Sequence, residues 1–299
     1  MNKLLRKFIV LISFCFLFIF SACASLQNSV LTAEEEEVFF PPSSYIPDDF
    51  IWQEVCPGIA FFDFENSDFP VIYHAVRIQL ETEGLEILTF PDSDFVEEKY
   101  IKGDIHEPYV FKSISTKAFA KKNKCNVAMN LTPYIKADLF SKRRLSGVYI
   151  DKGNELSQPH DSYSALVINR SSKGFIANLV LSQTPQAFLD CDYAFGGFFT
   201  VLEKGQVQEN FVRRYDSRSG AGISADGRTL YLLVVEGERP LKSAGLSYPQ
   251  CGEIFRAMGC SDALEFDGGG SSELCIGGRS VMSYRVRRVQ GNSFGFRVK

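Results

Sequence analysis

The sequence predicts an α+β fold, a single large domain with a mixed, mostly antiparallel sheet and a few helices. Three observations carry that expectation. Segments that alternate apolar and polar residues outnumber segments with helical spacing. Several of them flank short polar turns, as antiparallel hairpins do. One run, Thr229 to Val235, is apolar almost throughout, which marks a strand buried on both faces. In chain order, Val71 to Leu80 and Leu85 to Phe90 alternate across Glu83-Gly84 and predict a hairpin. Ser113 to Lys124 has amphipathic helical spacing and runs into an apolar strand, Cys125 to Met129. Ala165 to Ile168 and Phe175 to Leu181 flank a polar turn, Asn169 to Gly174. Asp226-Gly227, a strong hairpin signal, precedes the buried strand. Pro249 to Gly259 reads as a helix, with proline near its start and glycine ending it. Ala263 to Asp267 follows as a strand.

The ends of the chain and its charge narrow the classes of function. Lys3, Arg6 and Lys7 precede an uncharged apolar run from Phe8 to Phe20, shorter than the roughly 20 residues needed to cross a bilayer. This is the pattern of a signal peptide, residues 1–22, and Phe20-Ser21-Ala22-Cys23 resembles a bacterial lipobox with Cys23 as lipid anchor. Ala22-Cys23-Ala24 also satisfies an A-x-A cleavage rule, so plain secretion is the alternative. Either route puts the protein in the cell envelope or outside the cell. Residues 23–50, with Glu34 to Glu37 and then Pro41, Pro42 and Pro47, read as an anchor and flexible acidic, proline-bearing tether, leaving 51–299 as the folded domain. The chain holds 32 Lys and Arg against 36 Asp and Glu, a net charge of −4. Without the three leader cations the count is 29 against 36, or −7, which argues against nucleic acid as a partner. Cys56, Cys125, Cys191, Cys251, Cys260 and Cys275 form no C-x-x-C pair and no Cys/His cluster, so zinc-knuckle and thioredoxin chemistry lack support. A helix over Cys251 to Cys260 would hold those two about 13 Å apart, too far to bridge.

The richest stretch is Glu265-Phe266-Asp267-Gly268-Gly269-Gly270-Ser271-Ser272. In a strand, Leu264 and Phe266 share one face, and Glu265 and Asp267 share the other. Two carboxylates on one face repel each other, so a structural role alone would be a poor use of them. Three glycines allow positive φ and close approach, and such a turn can aim backbone N–H groups at an anion, with the hydroxyls of Ser271 and Ser272 beside them. A second candidate is Arg218-Ser219-Gly220-Ala221-Gly222, where an arginine leads a strand of small residues that leaves room for a ligand and can hold a phosphate through two bonds. A third is Asn130, at the end of a short apolar strand. Gly291-Asn292-Ser293-Phe294-Gly295 matches G-x-S-x-G, but no histidine follows it, so a hydrolase triad cannot be completed. His74, His106 and His160 have no H-E-x-x-H spacing.

Four blocks in order, Ala128-Met129-Asn130, Gly196-Gly197-Phe198-Phe199, the segment from Arg218 to Glu238, and the segment from Met258 through the Asp267 glycine run, resemble the phosphodiester glycosidase domain family. The resemblance extends from about Val71 to Val298. The chain departs from the family at Leu131-Thr132-Pro133-Tyr134, where a glycine pair is usual, at Glu265, where asparagine is frequent, and at Glu236, where aspartate is usual. What the resemblance implies is an exported hydrolase cleaving the C1–O–phosphate bond of a sugar-1-phosphodiester in a cell-envelope or host glycan, without a cofactor. It also implies a site in which Asp267 acts as base or nucleophile and Glu265 or Glu236 supplies a second carboxylate. Arg218, Asn130 and the segment Gly268, Gly269, Gly270, Ser271 and Ser272 would bind substrate. The competing expectation is a surface lipoprotein that binds phosphoglycans without turnover.

Overall fold

The computed structural model describes residues 41–92, 110–136, 142–209 and 214–299. The expected signal peptide, Cys23 and the acidic run of the expected tether lie outside the described residues. Four sheets build the folded part, and every strand pairing among the described residues is antiparallel, so the expected mixed sheet is replaced by a β-rich fold with two α-helices. The largest sheet has eight strands in the order Gln53–Cys56, Ile59–Asn66, Val71–Gln79, Thr229–Val235, Arg218–Ile223, Asp262–Glu265, Thr200–Glu203 and Gln206–Val207. One five-stranded sheet runs Asn154–Ser157, Tyr149–Asp151, Tyr193–Gly196, Ala165–Ser171, Gly174–Val180. The other runs Arg279–Ser280, Leu274–Ile276, Val127–Asn130, Ser293–Val298, Leu85–Phe90. A three-stranded sheet of Val110–Lys112, Lys142–Leu145 and Tyr134–Lys136 completes the set.

Thr229–Val235 lies between two strands of the large sheet, and its residues from Leu230 onward are all buried, as its unbroken apolar run requires. Its side chains Leu230, Leu232 and Val234 enter one core with Val76, Val127, Met129, Leu166, Phe195, Phe266 and Phe294, drawn from three sheets. The strand Gly174–Val180 forms the predicted hairpin with Ala165–Ser171, although the strands extend further and leave a shorter turn. The hairpin expected across Glu83-Gly84 does not form. Val71–Gln79 pairs instead with Ile59–Asn66 and Thr229–Val235, and Leu85–Phe90 pairs with Ser293–Val298 in a different sheet. The turn therefore carries the chain from one sheet to another.

The two helices form where expected, shorter than predicted. Thr116–Lys122 is capped by the Ser115 hydroxyl, which accepts from the Ala118 N–H at 3.1 Å. Tyr248–Ala257 carries Pro249 as its second residue, and the Gln250 amide oxygen reaches back to the Ser247 N–H at 2.9 Å. Gly259 ends this segment with φ at +94°, a conformation that favours glycine. Residues from Pro41 belong to the compact unit, because Ser44 and Tyr45 are buried and the Tyr45 hydroxyl donates to the Glu253 carboxylate. The six cysteines from Cys56 to Cys275 are free thiols, five of them buried.

Candidate functional site

Asp262–Glu265 ends one residue before Phe266, and the chain then turns, so the two carboxylates predicted to share a face part company. Leu264 and Phe266 enter the core as their spacing requires. Asp267 is held by its backbone: its N–H donates to the Leu131 carbonyl at 2.9 Å, and its own carbonyl accepts from the Asn130 side-chain amide at 2.6 Å. Its carboxyl lines a cavity of about 440 Å³ together with Ser113, Tyr134, Lys136, Arg143, Arg288 and Val289. Burial pushes its pKa up to about 6, against the pull of the Ser271 hydroxyl and the Arg288 guanidinium. Among the described residues lining this cavity, three are cations and one is a carboxylate.

The cations come from segments distant in sequence. Lys136 and Arg143 sit opposite each other on adjacent strands of the three-stranded sheet. Arg143 is 7% exposed, lies over the Tyr134 ring at 5.4 Å, and has an Nε without a hydrogen-bond partner. Arg288 donates through its guanidinium to the Ser271 hydroxyl at 3.3 Å. A Cβ on Gly270 would meet that guanidinium at 3.3 Å, a tight contact that a side chain there would relieve only by shifting Arg288. Tyr134 places its hydroxyl 3.5 Å from the Ser271 hydroxyl and packs its ring onto Gly291.

The glycine turn is less open than a free anion nest. Gly269 has φ at +57° and its N–H donates to the Ser217 carbonyl. The amides of Ser271 and Ser272 donate to the carbonyls of Gly268 and Gly269, closing a short 3₁₀ turn. The Gly268 and Gly270 amides are left as the candidates for an anion. The Ser272 hydroxyl is buried without a partner. Asn130, 1% exposed, is used internally: besides holding Asp267 it accepts from the Ser219 hydroxyl and the Glu273 N–H, both at 3.0 Å. It positions Asp267 and does not line the cavity.

Arg218 also departs from its expected place. Register pairs Gly220 with Glu265, so Arg218, Gly220, Gly222 and Glu265 share the face covered by the helix Tyr248–Ala257. The room left by the small residues is filled by that helix. A Cβ on Gly222 would come to 2.6 Å of the Cys260 sulfur and 2.7 Å of Phe255. The Arg218 guanidinium donates to the Leu246 and Arg214 carbonyls at 2.8 and 2.5 Å and lies 4.5 Å from the centre of the Tyr248 ring. Glu265 is fully buried beside it, and burial raises its pKa to about 8 despite the Arg218 charge and the Cys251 thiol. Glu265 is therefore a neutral acid near pH 7 and does not line the Asp267 cavity.

A model of the phosphodiester glycosidase family matches residues 123–297, more than half of the chain. The chain belongs to the phosphodiester glycosidase family. No curated protein matches it. Among solved structures it is similar to the catalytic domain of zebrafish N-acetylglucosamine-1-phosphodiester alpha-N-acetylglucosaminidase, auto-inhibited by its pro-peptide, at 16% identity and a TM-score of 0.59, covering 86% of each chain. It is also similar to a hypothetical protein from Synechocystis at 14% identity and a TM-score of 0.60, covering 84% of this chain but only 64% of that one. At these identities the likeness is one of fold.

The family's aspartate after the buried strand corresponds to Glu236, which this structure uses for a separate network. Glu236 is fully buried, and its carboxylate accepts from His74 Nε2 at 3.0 Å, Arg239 at 2.6 Å, the Ser283 N–H at 2.5 Å and the Ser283 hydroxyl. Burial opposes ionisation there, but the bonds from His74 and Ser283 outweigh it and hold the carboxyl below its ordinary pKa. His74 bridges Glu236 to the exposed Asp63 at 2.6 Å, and these two partners raise the imidazole pKa against burial. Glu236 is not among the groups lining the Asp267 cavity. Among the described residues, no group of His, Cys, Asp and Glu is arranged to hold a metal ion. Sequence reasoning missed Lys136, Arg143 and Arg288 altogether. The available signal was two basic clusters, Lys142-Arg143-Arg144 and Arg285 with Arg287-Arg288, in a chain of net negative charge.

Proposed function

We propose that this protein is an exported hydrolase that cleaves the C1–O–phosphate bond of a sugar-1-phosphodiester in a cell-envelope or host glycan, held at the membrane through Cys23. The observation that carries the reading is the Asp267 cavity, where one carboxylate of raised pKa is set among Lys136, Arg143 and Arg288. Family membership supplies the reaction class, and the cavity supplies groups suited to it. The cations would hold the phosphate, and Arg288, fixed by Ser271, would keep it close to the Asp267 carboxylate. Asp267 takes a proton from water as that water attacks the anomeric carbon. The C1–O bond breaks, and the phosphate departs with the former bridging oxygen. A phosphate leaves as a stable anion, so a second carboxylate to protonate it is not required. This accords with the one carboxylate found among the described residues lining the cavity, and with Glu265 and Glu236 being engaged elsewhere.

The deciding experiment sets purified protein and its Asp267→Asn variant against a panel of sugar-1-phosphodiesters, with neutral aryl glycosides as control. Hydrolysis of a phosphodiester, lost by about 100-fold or more in the variant, supports the reading. Saturable binding without turnover would instead make this a phosphoglycan-binding protein.

A further inference from the structure

We propose that the Asp267 cavity binds a doubly charged phosphomonoester more tightly than the singly charged phosphodiester, so that the phosphorylated product of its own reaction, or inorganic phosphate, occupies and inhibits the site. As a statement about product, the inference rests on the function proposed above. Its physical basis is the surplus of positive charge. Among the described residues lining the cavity, three are cations and one is a carboxylate, leaving two positive charges unbalanced even with Asp267 ionised, in a protein whose net charge is −4. Lys136 and Arg143 stand directly across from each other on neighbouring strands. Like charges so placed destabilise a sheet, and an anion held between them would offset their repulsion. Arg143 is also mostly buried with its Nε unsatisfied, a donor in want of an acceptor.

A phosphodiester brings a single negative charge to this cradle. Hydrolysis places the water hydroxyl on the sugar carbon, releases a proton through Asp267, and leaves both electrons of the C1–O bond on phosphate. The resulting monoester carries roughly −1.5 to −2 charges at neutral pH. The ligand thus gains nearly one negative charge without leaving the cations that hold it, while the sugar that would compete for space is freed. Charge-assisted bonds to Arg143, Arg288 and Lys136 strengthen accordingly.

The test is equilibrium binding to the intact protein at pH 7.5, using methyl phosphate as the monoester probe, dimethyl phosphate as the diester probe and inorganic phosphate as competitor. Methyl phosphate should bind at least about tenfold tighter, on the scale of one added charge contact, and inorganic phosphate should displace it. Lys136→Ala, a substitution at an exposed side chain, should narrow the preference, and Arg288→Ala should narrow it further. Equal affinity for the two probes, no binding of either, or a preference untouched by both substitutions would overturn the inference. Turnover is not needed for these measurements. A protein that prefers the monoester yet hydrolyses no sugar phosphodiester loses the proposed function and keeps the binding preference. One that turns over the diester without inhibition by phosphate keeps the function and loses this inference.

Discussion

Glu265 makes the stability of this protein depend on pH in a way that one substitution should remove. The side chain is fully buried, its two oxygens lack hydrogen-bond partners of ordinary geometry, and its pKa is raised from 4.5 to about 8. A raised acid keeps its proton in the folded state at pH values where the unfolded chain has lost it. Stability is therefore full below pH 4.5, falls as pH rises toward 8, and levels off above that. Each pH step of one in that window costs about 1.4 kcal/mol, so roughly 5 kcal/mol is lost across the whole of it. Glu265→Gln keeps the size of the side chain and cannot ionise. Its extra amide donor adds a cost of about 1–3 kcal/mol that is the same at every pH, so the informative quantity is the change in the variant-minus-wild-type difference. Between pH 5 and pH 9 that difference should move by roughly 4 kcal/mol in favour of the variant, or about 8–16 °C in Tm for a domain of this size. Thermal unfolding at the two pH values reads it directly, and other titrating groups cancel because both proteins carry them. A difference between the proteins that is equal at pH 5 and pH 9 would refute the reasoning and make Glu265 an ordinary charged partner of Arg218.

Further outcomes follow from the same geometry. If Asp267 is the base, kcat/KM should rise with pH through about 6, the value to which burial brings its carboxyl; a rate flat from pH 5 to pH 8 would exclude it. Arg218→Lys should lower the Tm because it breaks the clamp on the Leu246 and Arg214 carbonyls, and any loss of rate should be equal for phosphorylated and neutral substrates. His74→Asn leaves Glu236 buried without one of its donors and should cost about 2–4 kcal/mol in urea unfolding. Because the imidazole pKa is raised, that cost should be largest below pH 6.5 and shrink as pH climbs through the folded value. Cys23→Ser should move the protein from the membrane to the soluble fraction, and retention in the membrane would show that the leader segment or another surface holds it there.

Much of the fold was legible because local patterns decided it. The alternation in Ala263 to Asp267 sent Leu264 and Phe266 into the core, and the unbroken apolar run from Leu230 marked a strand covered on both faces. Partner choice was not legible, since pairing is a long-range property. Glu83-Gly84 has the composition of a hairpin turn, yet the better partners for Val71–Gln79 lie before it and far after it in the chain. The same limit governed the site. A strand of arginine and small residues reads alike whether the space is kept for a ligand or for a helix, and only the position of Phe255 and Cys260 decides that it is a helix. Period-two logic put Glu265 and Asp267 on one face, but the strand stops at Glu265, and two residues past its end the turn aims Asp267 elsewhere.

That change of direction gives the two carboxyls opposite environments. Both are raised by burial, but Glu265 rises to about 8 under the helix and stays neutral, whereas Asp267 rises only to about 6 because the Ser271 hydroxyl and Arg288 oppose the burial. At pH 7 one is an uncharged packing group and the other an anion facing three cations. A residue that differs from the family's frequent asparagine therefore still presents a neutral group at physiological pH, and the charge that the sequence placed twice in this stretch exists once in the fold. Among the described residues, one ionised carboxylate in a cationic cavity suits the proposed reaction, whose phosphate leaving group is self-stabilised, and a second ionised carboxylate there would weaken the hold on that phosphate.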